Sequence, residues 1–141
     1  MKEDFLHYVW KFQKFDVSDF YTANNERFHI KNQGSHNLNS GPDFFNAQIE
    51  LDGQLWAGNV EIHIKSSDWY AHGHEKDPAY DNVILHVVWE HDADIYRKDD
   101  TPIPTFVIEK HIPKNTLEHY QKLFSKDKKW INCENDFKTL D

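Results

Sequence analysis

The chain predicts an α/β fold, with α+β as the alternative, built on a mixed β-sheet with a central hairpin flanked by helices. Three observations predict it. Phe44–Leu51 and Leu55–Ile64 are two alternating runs joined by Asp52-Gly53, the strongest short hairpin signal. Val83–Glu90, "VILHVVWE", is nearly continuous apolar and β-branched, as in a strand covered on both faces. Apolar residues at three- and four-residue steps mark a helix at each flank.

The first helix is expected from Glu3 to Phe15, burying Phe5, Tyr8, Val9, Phe12 and Phe15. Its acidic Glu3 and Asp4 and its basic Lys11 and Lys14 complement the helix dipole. Short extended segments follow near Phe20–Thr22 and Phe28–Lys31, then a loop from Asn32 to Pro42. After the hairpin, the polar stretch 66–82 has room for a helical turn or two. A strand is expected near Thr105–Glu109, after the breakers Pro102 and Pro104. Pro113 then opens a helix over about Lys114–Phe124, with Leu117, Tyr120, Leu123 and Phe124 on one face. The expected organisation is one domain over 1–124 and a tail over 125–141 that shows no clear pattern.

The 141 residues suffice for one core, and aromatics are 15% of them, so large rings can fill it. Mean hydropathy is −0.84, and no apolar run approaches the roughly 20 residues of a membrane span. The N-terminal residues lack the apolar stretch of a signal peptide. Cys133 is the single cysteine, which excludes an internal disulfide and a cysteine-based zinc site. A cytoplasmic protein is the expectation. The net charge of −8 argues against coating nucleic acid by bulk electrostatics but leaves room for a local basic groove. Lys110–Lys129 is the most basic segment; a solvated helix face is its simpler reading.

The candidate chemistry begins on the second hairpin strand. Val60, Ile62 and Ile64 alternate with Glu61, His63 and Lys65, so the polar three share a face at about 6.5–7 Å spacing. Alone, that is an ordinary strand with one solvated side. Asp43, after Gly41-Pro42, falls across the hairpin near position 62, close to Glu61. Two adjacent carboxylates repel unless a cation or proton bridges them. Asp68, His72 and His74 follow the strand closely and add potential ligands.

Pro42-Asp43 followed by Glu61-x-His63 resembles the motif of the PD-(D/E)XK nuclease superfamily, and the element order resembles that superfamily's restriction-endonuclease-like core. The resemblance implies Mg²⁺ or Mn²⁺ held by Asp43, Glu61 and the Ile62 backbone carbonyl. It implies DNA or RNA as substrate, with His63 or Lys65 assisting the attacking water. The family's lysine is replaced by His63, with Lys65 one pleat further along; Glu3 is a candidate for a second cation. A closer resemblance spans nearly the whole chain. "GPDFFNAQI", "GNVEIHIKSSDWYAHGH" and "DPAYDNVILHVVWEHD" resemble the bacterial domain of unknown function 2851. Members of that family are usually longer, which implies an N-terminal part, a short variant or a truncated product.

Two other classes stand beside the nuclease. One is a histidine-rich centre for zinc or another transition metal, using His63, His72 and His74 with Asp43 or Glu61. The other is a non-catalytic nuclease-like interaction module, which the missing lysine favours. Phosphate-loop, dinucleotide-binding and Gly-x-Ser-x-Gly motifs are absent. Trp56, Trp69 and Tyr70 are candidates for base stacking; His86 and Trp89 are expected in the core.

Overall fold

A computed structural model describes residues 3–15 and 20–131, with side chains to 123. Cys133, most of the predicted tail and the side chains of Lys126, Lys128 and Lys129 lie outside the described residues. The fold is mixed α+β and rich in strands. Helix α1 (Glu3–Phe12) precedes strands β1 (Phe20–Tyr21), β2 (Arg27–Asn32), β3 (Ser35–His36), β4 (Phe44–Leu51) and β5 (Gln54–Lys65). The short helix α2 (Asp68–Ala71) and 3-10 turns over His74–Lys76 and Pro78–Tyr80 follow. Strands β6 (Val83–Glu90) and β7 (Thr105–Val107) and helix α3 (Thr116–Ile131) complete it.

The sheet runs β1-β2-β4-β5-β6-β7, with β3 pairing a stretch of β4. The β1–β2, β2–β4 and β4–β5 pairs are antiparallel. Strands β5, β6 and β7 run parallel, so the sheet is mixed as expected. Ala23 donates its N–H to the Thr105 carbonyl at 2.8 Å, which brings the two outer edges together and nearly closes the sheet.

The hairpin turns at Asp52-Gly53 with positive φ at both residues, 49° and 85°, the backbone that Asp-Gly favours. Its register pairs Leu51 with Gln54 and Ala47 with Gly58, then shifts so that Phe44 meets Val60. The irregularity includes Asn46 at φ 61° and moves Asp43 one step from its expected place, opposite Glu61 rather than Ile62.

Helix α1 corrects the predicted face. Phe5, Leu6, Val9 and Trp10 are buried, whereas Phe12 is 55% exposed. Apolar residues occupy two adjacent stripes of this helix, and tertiary packing selects the one containing Leu6 and Trp10. The helix ends early in a Schellman motif. Gln13 takes φ 53°, Lys14 donates to the Val9 carbonyl at 3.0 Å and Gln13 to that of Trp10 at 3.3 Å. The buried side of α1 packs with Val60, Ile62, Leu85, Val87 and the Phe20–Phe28–Phe106 ring cluster, while Leu117 and Tyr120 of α3 add to the margin.

The opposite face of the sheet carries a second cluster of Trp69, Tyr80, Val83, Ile95 and Ile103. The segment after β5 therefore covers the row expected to be solvated: Glu61 is 4% and His63 1% exposed. Close approach is built in at Gly58, where an added Cβ would meet the Asn82 carbonyl oxygen and the Ile84 side chain at 2.5 Å each. Gly58→Ala is expected to cost about 1–3 kcal/mol by overpacking, read as a lower urea midpoint with an unchanged m-value.

Candidate functional site

Two loops and one strand converge at the C-terminal end of β5. The first loop is fixed by Asn37. Its amide donates to the carbonyls of Ser40 and Pro42 at 2.9 Å each, and its N–H donates to the Asp43 carbonyl at 2.8 Å. These bonds present Asp43 to the strand across. The Asp43 carboxylate accepts the Ile62 N–H at 2.8 Å, and Asp43 N–H donates to Glu61 Oε1 at 3.2 Å. The proximity expected from the hairpin is therefore present, in reciprocal form.

The second loop follows α2. Asp92 accepts from the N–H and hydroxyl of Ser67, at 2.9 and 2.7 Å, and from the Ser66 hydroxyl at 3.0 Å. This anchors the start of α2 to the end of β6. Asp68, one of the predicted ligands, accepts the Lys65 N–H at 3.1 Å. Gly73 adopts φ 69°, a conformation natural to glycine, and the chain turns between His72 and His74. The His74 ring stacks on Tyr80 with centroids 3.8 Å apart. Trp69 meets His74 and His86 at 5.3 and 5.5 Å; it is 1% exposed and unable to stack on a base from solvent. Tyr70 remains partly open, though its hydroxyl accepts the Tyr96 N–H at 2.9 Å. Trp56 is exposed on the hairpin, away from this cluster.

The strand supplies the centre. Glu61 Oε2 lies 3.2 Å from His63 Nε2 and 3.0 Å from His74 Nε2. His63 Nε2 is also 3.1 Å from His72 Nδ1, and His63 Nδ1 is 2.7 Å from His86 Nε2. His86 is thus a hydrogen-bonded core histidine, as expected, but its partner belongs to the site. Lys65 is exposed at the strand end. His63, His72 and His74 each offer a ligand nitrogen within 4.8 Å of the others. His72 is the exposed member, so the group opens to solvent on its side.

The electrostatics of the site are governed first by burial, which disfavours the charged form of each inner group. Burial, then the charge and hydrogen bond of Asp43, push the Glu61 carboxyl up to about 10. Burial, then Asp43, Asp68 and Asp4, raise Glu3 to about 7, which places the first turn of α1 in the same field. Burial and the neighbouring imidazoles of His86, His74 and His72 depress His63 to about 2. Burial, with His74 and His91, depresses His86 to about 3. The close Glu61–histidine contacts are accordingly between neutral groups rather than salt bridges. His74 Nε2, though 3.0 Å from Glu61, is buried without an aligned hydrogen-bond partner, as are His86 Nδ1 and His7 Nε2. Each such orphan costs roughly 1–3 kcal/mol.

Two contributors were not visible in the sequence pattern. His7 of α1 places Nε2 3.6 Å from Asp43 Oδ2 and pairs with His36 at 3.2 Å. Tyr80 is the other; its Pro78-x-Tyr80 turn follows Asp77, whose carboxylate accepts the Ala79 N–H at 2.9 Å. No spacing rule connects either to β5.

Fold and site together define a class: a mixed α+β domain in which a buried and a half-buried carboxylate, Glu61 and Asp43, are bordered by three convergent imidazoles. The chain belongs to the family described as "Protein of unknown function (DUF2851)", whose model matches residues 3–141. No curated protein and no solved structure matches it. Among the described residues, no helix is long and apolar enough to cross a membrane.

Proposed function

We propose that this domain is a divalent-cation-dependent phosphodiester hydrolase acting on DNA or RNA, with a PD-(D/E)XK-like site. The observation that carries the reading is the apposed pair Asp43 and Glu61, joined by the 3.2 Å Asp43 N–H to Glu61 bond and left in need of positive charge. The residues fit Mg²⁺ or Mn²⁺ held by Asp43, Glu61 and the Ile62 carbonyl, with Glu3 nearby. A bound cation would neutralise charge at phosphorus and activate water.

The chain's own residues do the rest. The Ile62 N–H fixes the Asp43 carboxylate, leaving it oriented before any ligand arrives. Trp69 and Tyr80 exclude water from the inner side of the imidazoles. By the resemblance to the PD-(D/E)XK motif, His63 would stand where that motif has its lysine. Its depressed basicity suits it to orienting a neighbour better than to taking a proton. His72, exposed and 3.1 Å away, is placed to pass a proton to solvent. Lys65, at the exposed strand end, is free of the buried row and available to a phosphate.

The test is cleavage of single- and double-stranded DNA and RNA with Mg²⁺ or Mn²⁺. Wild type is expected to cut at least one of them. Asp43→Ala is expected to lose at least about a hundredfold in rate, since a cation supplies several kcal/mol at the transition state. Wild-type protein inert on all four substrates with either cation would remove the reading.

A further inference from the structure

The two oxygens of Glu61 face different chemistry. Oε1 accepts from Asp43, on the carboxylate side. Oε2 faces nitrogen, lying 3.2 Å from His63 Nε2 and 3.0 Å from His74 Nε2. We propose that Glu61 bridges two cation subsites: the carboxylate subsite with Asp43, and an imidazole subsite formed by His63, His72 and His74. The second takes a transition metal such as zinc, cobalt or manganese. The inference rests on the cation-site part of the proposed function but not on phosphodiester cleavage.

Four observations support the imidazole subsite. The three ligand nitrogens lie within 4.8 Å of one another and come from β5 and from the turn that follows α2. His74 is nine-tenths buried, yet its Nε2 has no hydrogen-bond partner. A close contact with Glu61 that is misaligned for a hydrogen bond fits two donors directed at a common ligand. His63 is oriented from behind by His86, at 2.7 Å from its other nitrogen, an acceptor in the place where metal-binding histidines commonly have a carboxylate, carbonyl or water. Finally, stacking on Tyr80 and edge contact with Trp69 hold His74 rigid.

The donor sets differ in hardness. The carboxylate subsite is the richer in oxygen, with His7 Nε2 at 3.6 Å from Asp43 Oδ2 as its neighbouring nitrogen, and suits Mg²⁺ or Mn²⁺. Three imidazoles and a carboxylate suit zinc and its neighbours. A plain hydrogen-bonded histidine cluster explains the His63–His86 and His63–His72 contacts, but it leaves His74 Nε2 without a role.

The experiment is metal stoichiometry on the metal-free full chain, using Co²⁺ alone as the probe. Bound metal is counted after equilibrium dialysis, and imidazole ligation is read from the visible Co²⁺ spectrum. Wild type is expected to bind two equivalents. His72→Ala removes an exposed ring and should leave the fold intact, as circular dichroism checks; it is expected to weaken one equivalent at least about tenfold and to change the spectrum. His74→Gln should do the same. Asp43→Asn is expected to lose the other equivalent and retain the imidazole spectrum. One equivalent or none in wild type, or an unchanged spectrum in both histidine variants, overturns the proposal. Two equivalents without nucleic-acid cleavage would support the bridged centre and remove the hydrolase reading. One equivalent with cleavage would do the reverse.

Discussion

Glu61→Gln is expected to make the metal-free protein more stable at neutral pH while abolishing its stabilisation by divalent cations. The native carboxyl titrates near 10 because it is buried beside Asp43, against an ordinary value of 4.5. A group raised on folding contributes stability that is complete below 4.5 and is lost as pH rises toward 10. At about pH 7.5 the unfolded glutamate is ionised and the folded one protonated, a difference of roughly 2–4 kcal/mol in favour of unfolding. Glutamine keeps the shape, accepts from the Asp43 N–H and has no charge to lose. Urea denaturation should therefore show a higher midpoint for the variant. Added Mn²⁺ should raise the melting temperature of wild type only, because a cation that binds the folded state stabilises it by mass action. A variant less stable than wild type, or one still stabilised by Mn²⁺, would mean that Glu61 is a structural acid.

How far the sequence reaches depends on the range of the interaction being read. Strand β4 was legible to the residue and β5 to within one at each end, because alternation and Asp52-Gly53 are local signals. Strand β6 was equally clear as a continuous apolar run. Helix α1 was legible as a helix, but its buried stripe was not, since Leu6 and Trp10 compete with Tyr8 and Phe12 and only packing decides. Its end escaped because the left-handed cap is Gln13, not glycine or asparagine. The two-residue β3 lay in an expected loop; pairs with Phe44 and Phe45 define it, and no propensity does. Helix α3 continues to Ile131, past the Phe124 where its apolar stripe stops.

The site divides along the same line. Asp43 beside Glu61 followed from hairpin register, even with the one-step shift at the bulge. His72 and His74 near His63 followed from their short separation in the chain. Burial of Glu61 and His63 did not follow. Alternation on β5 reads as a solvated face unless something covers it, and the cover joins Trp69 and Tyr80 of the following segment to Ile95 and Ile103 from beyond β6. His7 and His86 reach the site through tertiary contacts alone. The side chains converge rather than splay outward.

The stability of the metal-free protein is expected to be nearly flat between about pH 4.5 and 6.5 and to fall on both sides, because two opposite sets of groups are buried together. His63 and His86, depressed to about 2 and 3 from 6.5, contribute stability that is present above 6.5 and lost as pH falls. Glu61 and Glu3, raised to about 10 and 7 from 4.5, contribute stability that is present below 4.5 and lost as pH rises. Among these four groups, the unfolded chain takes up two protons on its histidines in the overlap and releases two from its glutamates, so their slopes cancel; His36 and His74, lowered chiefly by burial, tilt the window toward a fall on the acid side. Below 4.5 the glutamates are protonated in both states and the histidines act alone. The acid limb then approaches two protons, or about 2.7 kcal/mol per pH unit. Above 7 only Glu61 remains, with a limb of about one proton or 1.4 kcal/mol per unit. Urea midpoints measured across this range give both limbs directly. Glu61→Gln should erase the alkaline limb and leave the acid one, and saturating Mn²⁺ should flatten the alkaline limb of wild type by replacing the Glu61 proton. Stability that holds level up to pH 9 without metal would show that Glu61 is ionised in the empty site, and the need for a cation there would lose its basis.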